Sequence, residues 1–218
     1  MTRSRIYSQR EESANTLSHA LGIILGIIAG YILLSRAIAH HDGWMIGSTL
    51  VYIVGMLSSY ITSTLYHGCK NERRKRQLQK FDHAAIYLHI AGTYTPFTLV
   101  TLREEGLWGW ALFGFVWLAA IIGVIVSFRK SGKHSNIETI CYIVMGCSIF
   151  VAFKPLTETL SRTGEISVLY WLIAGGLSYV IGALFYSLAK KKYMHTVFHF
   201  FVLGGSISHI IAIYTILY

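Results

Sequence analysis

Two histidines stand four residues apart in the segment HTVFH, His195 and His199, and a third, His67, closes the segment STLYH four residues after Ser63. Imidazoles at i and i+4 share one face of a helix one turn apart, a geometry that presents two nitrogen ligands to a single metal ion. Asp82 lies a little further on, just past a basic run. Three neutral imidazoles, a hydroxyl and a carboxylate suit Zn²⁺, because three nitrogens leave the fourth position of a tetrahedral ion open to water. The ion would bring the pKa of that water toward ~7, and Asp82 is the group to orient or deprotonate it.

These residues meet only if elements distant in sequence carry them to one place, and composition says what the elements are. Of 218 residues 54% are hydrophobic and 13% charged, with a mean hydropathy of +0.51. That balance excludes an ordinary soluble domain and marks an integral membrane protein. Windows long enough to cross ~30 Å of hydrocarbon predict a seven-helix transmembrane bundle, with spans at roughly residues 17–39, 44–66, 84–102, 107–128, 137–153, 168–189 and 194–218. The fifth is the shortest and carries Glu138 near one end. The first is too long for a signal peptide, no small-residue cleavage site stands out, and further spans follow, so it is expected to be retained. Without a repeat, a low-complexity stretch or a dividing linker, residues 1–218 read as a single membrane domain.

The basic residues orient the bundle. Arg3, Arg5 and Arg10 precede span one; Lys70, Arg73, Arg74, Lys75, Arg76 and Lys80 follow span two; Arg129, Lys130 and Lys133 follow span four; Lys190, Lys191 and Lys192 follow span six. Only Arg36, Arg103, Lys154 and Arg162 remain for the other side, so the positive-inside rule predicts a cytoplasmic N-terminus and a C-terminus outside. The same bias accounts for the net charge of +9 without nucleic acid. The 70–80 loop, a topology determinant, also suits anionic lipid headgroups as partners. Cys69, Cys141 and Cys147 show no metal-type spacing and predict no disulfide framework.

In this topology the end of span two and the starts of spans three and seven lie at the cytoplasmic face. His67, Asp82, His195 and His199 therefore reach one depth of the bilayer. A metal centre and a set of packed, hydrogen-bonded histidines both satisfy that pattern, and Asp82 alone also suits a helix N-cap.

The set Ser63 to His67, Asp82 within FDHAAIYLHIAGTYTP, and His195 to His199 within HTVFHFFVLGGSISHIIAIY, together with EESANTLSHALG at span one, resembles the progestin and adipoQ receptor family, most closely its bacterial haemolysin III or YqfA-like branch. The resemblance covers nearly the whole chain. It implies that His67, His195 and His199 bind zinc, with Ser63 and Asp82 beside the metal. The family is also similar to alkaline ceramidases, which implies hydrolysis of a lipid amide or ester, or sensing of a lipid through the same site.

Other polar residues need places too. Glu12, Asn15 and His19 recur at helical spacing with Gly22, Gly26 and Gly30, which predicts a face turned into the bundle, as a hydrogen-bond network or as support for the site. His89 lies deeper on the Asp82 face, and His209, roughly 15 Å beyond His199, is too far to share its metal. His83 is turned about 100° from Asp82 and is expected to face elsewhere. Pro96 predicts a kink, with Thr93 and Thr95 near the freed backbone. Two other classes stand beside the hydrolase. A cytolysin must stay soluble before insertion, which continuously apolar spans oppose. A channel or transporter lacks its usual inverted repeat here, and neighbouring histidines on one helical face cannot grip a haem iron from both sides.

Overall fold

The computed structural model describes residues 7–129, 136–189 and 191–218; Arg3, Arg5, Lys130, Lys133 and Lys190 of the topology count lie outside them. The described chain is all helical: α1 (Gln9–Ala39), α2 (Gly43–Gly68), α3 (Glu72–Pro96) running into a π-helical turn (Phe97–Thr101), α4 (Trp108–Arg129), α5 (Asn136–Cys147), a 3₁₀ turn (Ser148–Ala152), α6 (Phe153–Thr163), α7 (Ser167–Ser187) and α8 (Met194–Ile216). Among the described residues six stretches are long and apolar enough to cross a membrane: α1, α2, α4, Glu138–Thr163, α7 and α8. The helix α3 is not among them, because its first turns carry the basic run while only its later part is apolar.

The distribution of side chains is inverted relative to a soluble bundle. On α1, Leu17, Leu21, Ile24 and Ile28 face outward, whereas Asn15, Ser18, His19 and the three spaced glycines are buried. Close packing through small residues, with polar groups satisfied inside, is how helices associate in hydrocarbon. The helix also begins earlier than hydropathy alone indicates. Ser8 caps it and Glu11 returns to the cap backbone, a reciprocal capping box that satisfies two free N–H groups.

Contacts at both ends of α1 fasten it to α8 and to the residue that follows it. At one end Glu11 Oε1 accepts from the backbone N–H of Tyr193, 3.1 Å, the left-handed residue (φ 61°) that opens α8. At the other, Arg36 donates to the Leu217 carbonyl, 3.0 Å, and lies over the Tyr218 ring. The pairing of α2 with α3 is closer still, because a Cβ on Gly55 would stand 2.7 Å from the Leu88 carbonyl oxygen.

Pro96 does not simply kink α3. It closes α3, and the chain continues as a π turn in which Thr98 Oγ1 donates to the Tyr94 carbonyl. Thr95 Oγ1 donates to the Ala91 carbonyl and accepts from Trp117 Nε1. The fifth span is longer than its hydropathy window and broken at the 3₁₀ turn. There the Tyr94 hydroxyl, from α3, donates to the Gly146 carbonyl (2.6 Å) and accepts from the Ile149 N–H (3.0 Å). A side chain inserted in the ladder in this way is a recognised cause of a helix break.

Candidate metal centre

The last turns of α2 deliver His67, and the first turns of α8 deliver His195 and His199 from one helical face; all three are at most 6% exposed. One nitrogen from each ring lies within 4.8 Å of the others, a set able to hold a metal ion. His195 Nε2 is 3.1 Å from His67 Nε2 and 3.1 Å from His199 Nε2.

The outward nitrogens decide what the inward ones offer. His67 Nδ1 is 2.7 Å from Glu12 Oε2, and since a carboxylate accepts, His67 carries its proton on Nδ1. Ser18 donates its hydroxyl proton to the Asn15 carbonyl, 2.9 Å, so Ser18 Oγ accepts from His199 Nδ1 at 2.9 Å. In their neutral forms His67 and His199 therefore both point bare Nε2 lone pairs at His195. A proton on His195 Nε2 lies along one of these directions, whereas a cation satisfies all three nitrogens. With metal–nitrogen bonds of ~2.0–2.1 Å, tetrahedral ligands stand about 3.3 Å apart, close to the spacing seen. The residues present fit a divalent cation that favours nitrogen.

The outer partners are themselves held. Glu12 Oε1 is paired with Lys75 at 2.7 Å, Asn15 Oδ1 accepts from Thr196 at 2.5 Å, and the His19 ring stacks on His199 with centroids 3.5 Å apart. Glu12, Asn15 and His19 thus face the site as their spacing predicts. Ser18, Thr196, Lys75 and Tyr7, whose ring packs against His195, were not singled out by the sequence. Ser18 continues the i+3 spacing from Asn15 and was legible in principle; Lys75 stands in a run of equivalent cations and was not.

A cavity of about 360 Å³ adjoins the triad, and its wall includes Ser63, Asp82, His195 and His199. Ser63 engages the Asp82 carboxyl. The rest is largely apolar, with Ile86, Ile90, Phe150, Leu172 and Phe198 among its lining. His89 and His209 also line it, deeper, and neither belongs to the triad. His83 departs from expectation: it lines the same cavity, pairs with Glu138 at 3.2 Å, and its carbonyl accepts from Tyr142. The cavity is wide enough for two adjacent faces of α3 to border it.

The haemolysin-III-related family model matches residues 7–210, a stretch that contains every residue of the triad. The chain belongs to the haemolysin-III-related family. Its relatives include "Hemolysin-3" of Bacillus cereus, 42% identical over 197 residues, covering 90% of this chain and 87% of that protein. The "Hemolysin-3 homolog" of Bacillus subtilis (strain 168) is 37% identical over 201 residues, 92% of each chain. The human "Monocyte to macrophage differentiation factor" is 30% identical over 216 residues, 95% of this chain and 85% of the relative. The match to the bacterial branch of the progestin and adipoQ receptor family is thereby shown, and this haemolysin III protein is a multi-pass protein of a bacterial cell membrane.

Proposed function

We propose that this protein is a zinc-dependent membrane hydrolase of a lipid amide or ester, with His67, His195 and His199 as the metal ligands. One observation carries it: two imidazole lone pairs, fixed by Glu12 and Ser18, converge on a third imidazole at the wall of an apolar cavity that also presents a carboxylate. Three imidazoles with a fourth position open are the ligand pattern of catalytic zinc sites. Zinc held there supplies Lewis-acid polarisation of a carbonyl and activation of water. Asp82 accepts the water's proton as the new carbon–oxygen bond forms, then returns it to the nitrogen or oxygen that leaves as the old bond breaks. Ser63 orients Asp82, and the apolar wall holds the hydrocarbon chain. A protein that binds lipid at this site without turnover is a sensor of the same chemistry.

We further infer seven crossings, the seventh being the apolar part of α3 with its π turn, and hence a cytoplasmic N-terminus and an outer C-terminus. Supporting this, Ala84, Ala85, Tyr87, Ala91 and Leu99 are buried against the bundle, while the charged first turns stay exposed. Lys70, Arg73, Arg74 and Arg76, all exposed, are then positioned for anionic headgroups at the inner surface.

Zinc quantification coupled to a lipid amidase and esterase screen tests the proposal. Wild type and Asp82→Asn are expected to hold about one zinc each, and the variant to lose turnover by roughly 10²–10⁴-fold. The combined variant of His67→Ala, His195→Ala and His199→Ala is expected to lose the metal. Zinc-free wild-type protein sinks the site; loaded protein that turns over no lipid leaves the sensor. Lysis of erythrocytes by pure protein would instead favour the cytolytic activity named in the Bacillus cereus relative.

A further inference from the structure

We propose that the deep end of the cavity is a second, neutral polar subsite, formed by His89 and His209, that takes a hydroxyl carried in the middle of a long hydrocarbon chain. The placement of the chain's carbonyl end at the triad rests on the function proposed above.

Both imidazoles line the cavity that begins at Ser63, Asp82 and His199, and they are only 6% and 8% exposed. His209 donates to the Leu172 carbonyl. Its Nδ1 has no partner among the described residues, so the ring proton is on Nε2 and Nδ1 is a bare acceptor. His89 Nε2 likewise has no partner among the described residues. Tyr179, the aromatic ring nearest His209, with centroids 5.4 Å apart, has its hydroxyl engaged with Ser206 Oγ, which also accepts from Tyr60. The helix α7 is notched to admit the histidine, since a Cβ on Gly175 would lie 2.4 Å from the His209 ring.

A buried nitrogen left unpaired costs free energy, so a ligand that pairs it gains what a plain hydrocarbon cannot. A hydroxyl suits either nitrogen, donating to His209 Nδ1 or meeting His89 Nε2 as donor or acceptor according to its tautomer. The cavity's carboxylates, Asp82 and Glu138, belong to its other end, so a charged group has no counter-ion here and a neutral one is preferred. Along their helices His89 is seven residues past Asp82 and His209 ten past His199. At ~1.5 Å per residue these are offsets of about 10 and 15 Å, a mid-chain position on a long acyl group and not the positions next to its carbonyl.

Competition for radiolabelled oleate, on the full chain in lipid nanodiscs, tests this with ricinoleate, which differs from oleate by one mid-chain hydroxyl. Ricinoleate is expected to compete about tenfold better than oleate, the ratio of one net hydrogen bond. Moving the hydroxyl to the carbon beside the carboxylate should abolish the gain. A variant combining His89→Leu with His209→Leu should bring the ratio to one while keeping zinc content and oleate affinity, and His209→Gln should keep part of the preference. Equal binding of the two chains by wild type, a gain that survives the leucine variant, or no binding of either chain overturns the subsite. Since the readout is the ratio of two binding affinities and not turnover, with zinc content serving only to show that the variant is intact, failure of the hydrolase leaves this outcome independently interpretable, and the hydroxyl-position comparison needs only wild-type protein.

Discussion

His67 is orientated by a carboxylate that is itself shared. Glu12 holds the histidine through one oxygen and Lys75 through the other, so Glu12→Gln replaces a charged acceptor with a neutral amide that can also turn its NH2 toward the ring, fixes the tautomer less firmly, and should lower metal affinity about 10–100-fold, as measured by competition with a chromophoric chelator. Lys75→Met removes only the outer partner and should cost less; an equal loss in both variants would show that the lysine, not the carboxylate, governs the ligand. Ser18→Ala should weaken binding through His199 in the same way. At this scale the sequence was informative where helical spacing and topology act together. The i, i+4 pair and the shared depth are enough to bring the three imidazoles to one place. The hydrogen-bond partners were half legible: Glu12 and Asn15 share a face by spacing, but the donors they accept from lie on other helices, and spacing within one helix does not say which groups meet across the bundle.

The break between α5 and α6 was illegible for a related reason. The sequence from Ile140 to Phe153 is largely apolar and has no Pro, and what interrupts the helix is Tyr94 of α3, which bridges Gly146 and Ile149. Tyr94→Phe leaves that carbonyl and N–H unpaired in a low-dielectric surrounding and should destabilise the protein by ~1–3 kcal/mol, read from its unfolding midpoint in detergent. An unchanged midpoint would mean that the two groups re-pair as a continuous helix. Gly55 tests the neighbouring pair of helices. Because the clash is with the Leu88 backbone, no rotamer relieves it, and Gly55→Ala has to push α2 from α3. A cost of ~1–3 kcal/mol is expected, together with reduced zinc occupancy, since the shift separates His67 from the α8 ligands. By contrast, most element boundaries were legible to within a few residues, because the hydrocarbon thickness prescribes the length of an apolar run. The early start of α1 lies outside that rule, since capping rather than hydropathy sets it.

For the molecule as a whole, a metal clamp between α2 and α8 should couple loading to stability. Zinc at about 100 times its Kd is expected to add ~2.7 kcal/mol over the chelated protein, seen as a rise in thermal midpoint that the combined histidine variant does not show. No rise in wild type would mean that the ion does not bind the folded state. Orientation is tested separately by fusing a reporter active only on the outer side to the C-terminus. It should be active in wild type and lose activity when Lys70, Arg73, Arg74, Arg76 and Lys80 are neutralised together. The fold class was legible from composition alone, because a bilayer imposes one pattern on every crossing. The contents of the cavity were not, since its wall draws on segments from Tyr7 to His209.

The ligand His67 and its partner His195 are 128 residues apart, and that separation becomes an interval of time during synthesis. Glu12 and His67 enter the membrane early, while His195 and His199 arrive with the last helix, so a nascent chain carries one imidazole waiting on a carboxylate for most of its translation. On the proposed function, metal capture is a late event that certifies insertion of the final helix, since a chain stalled before α8 lacks two of the three histidines.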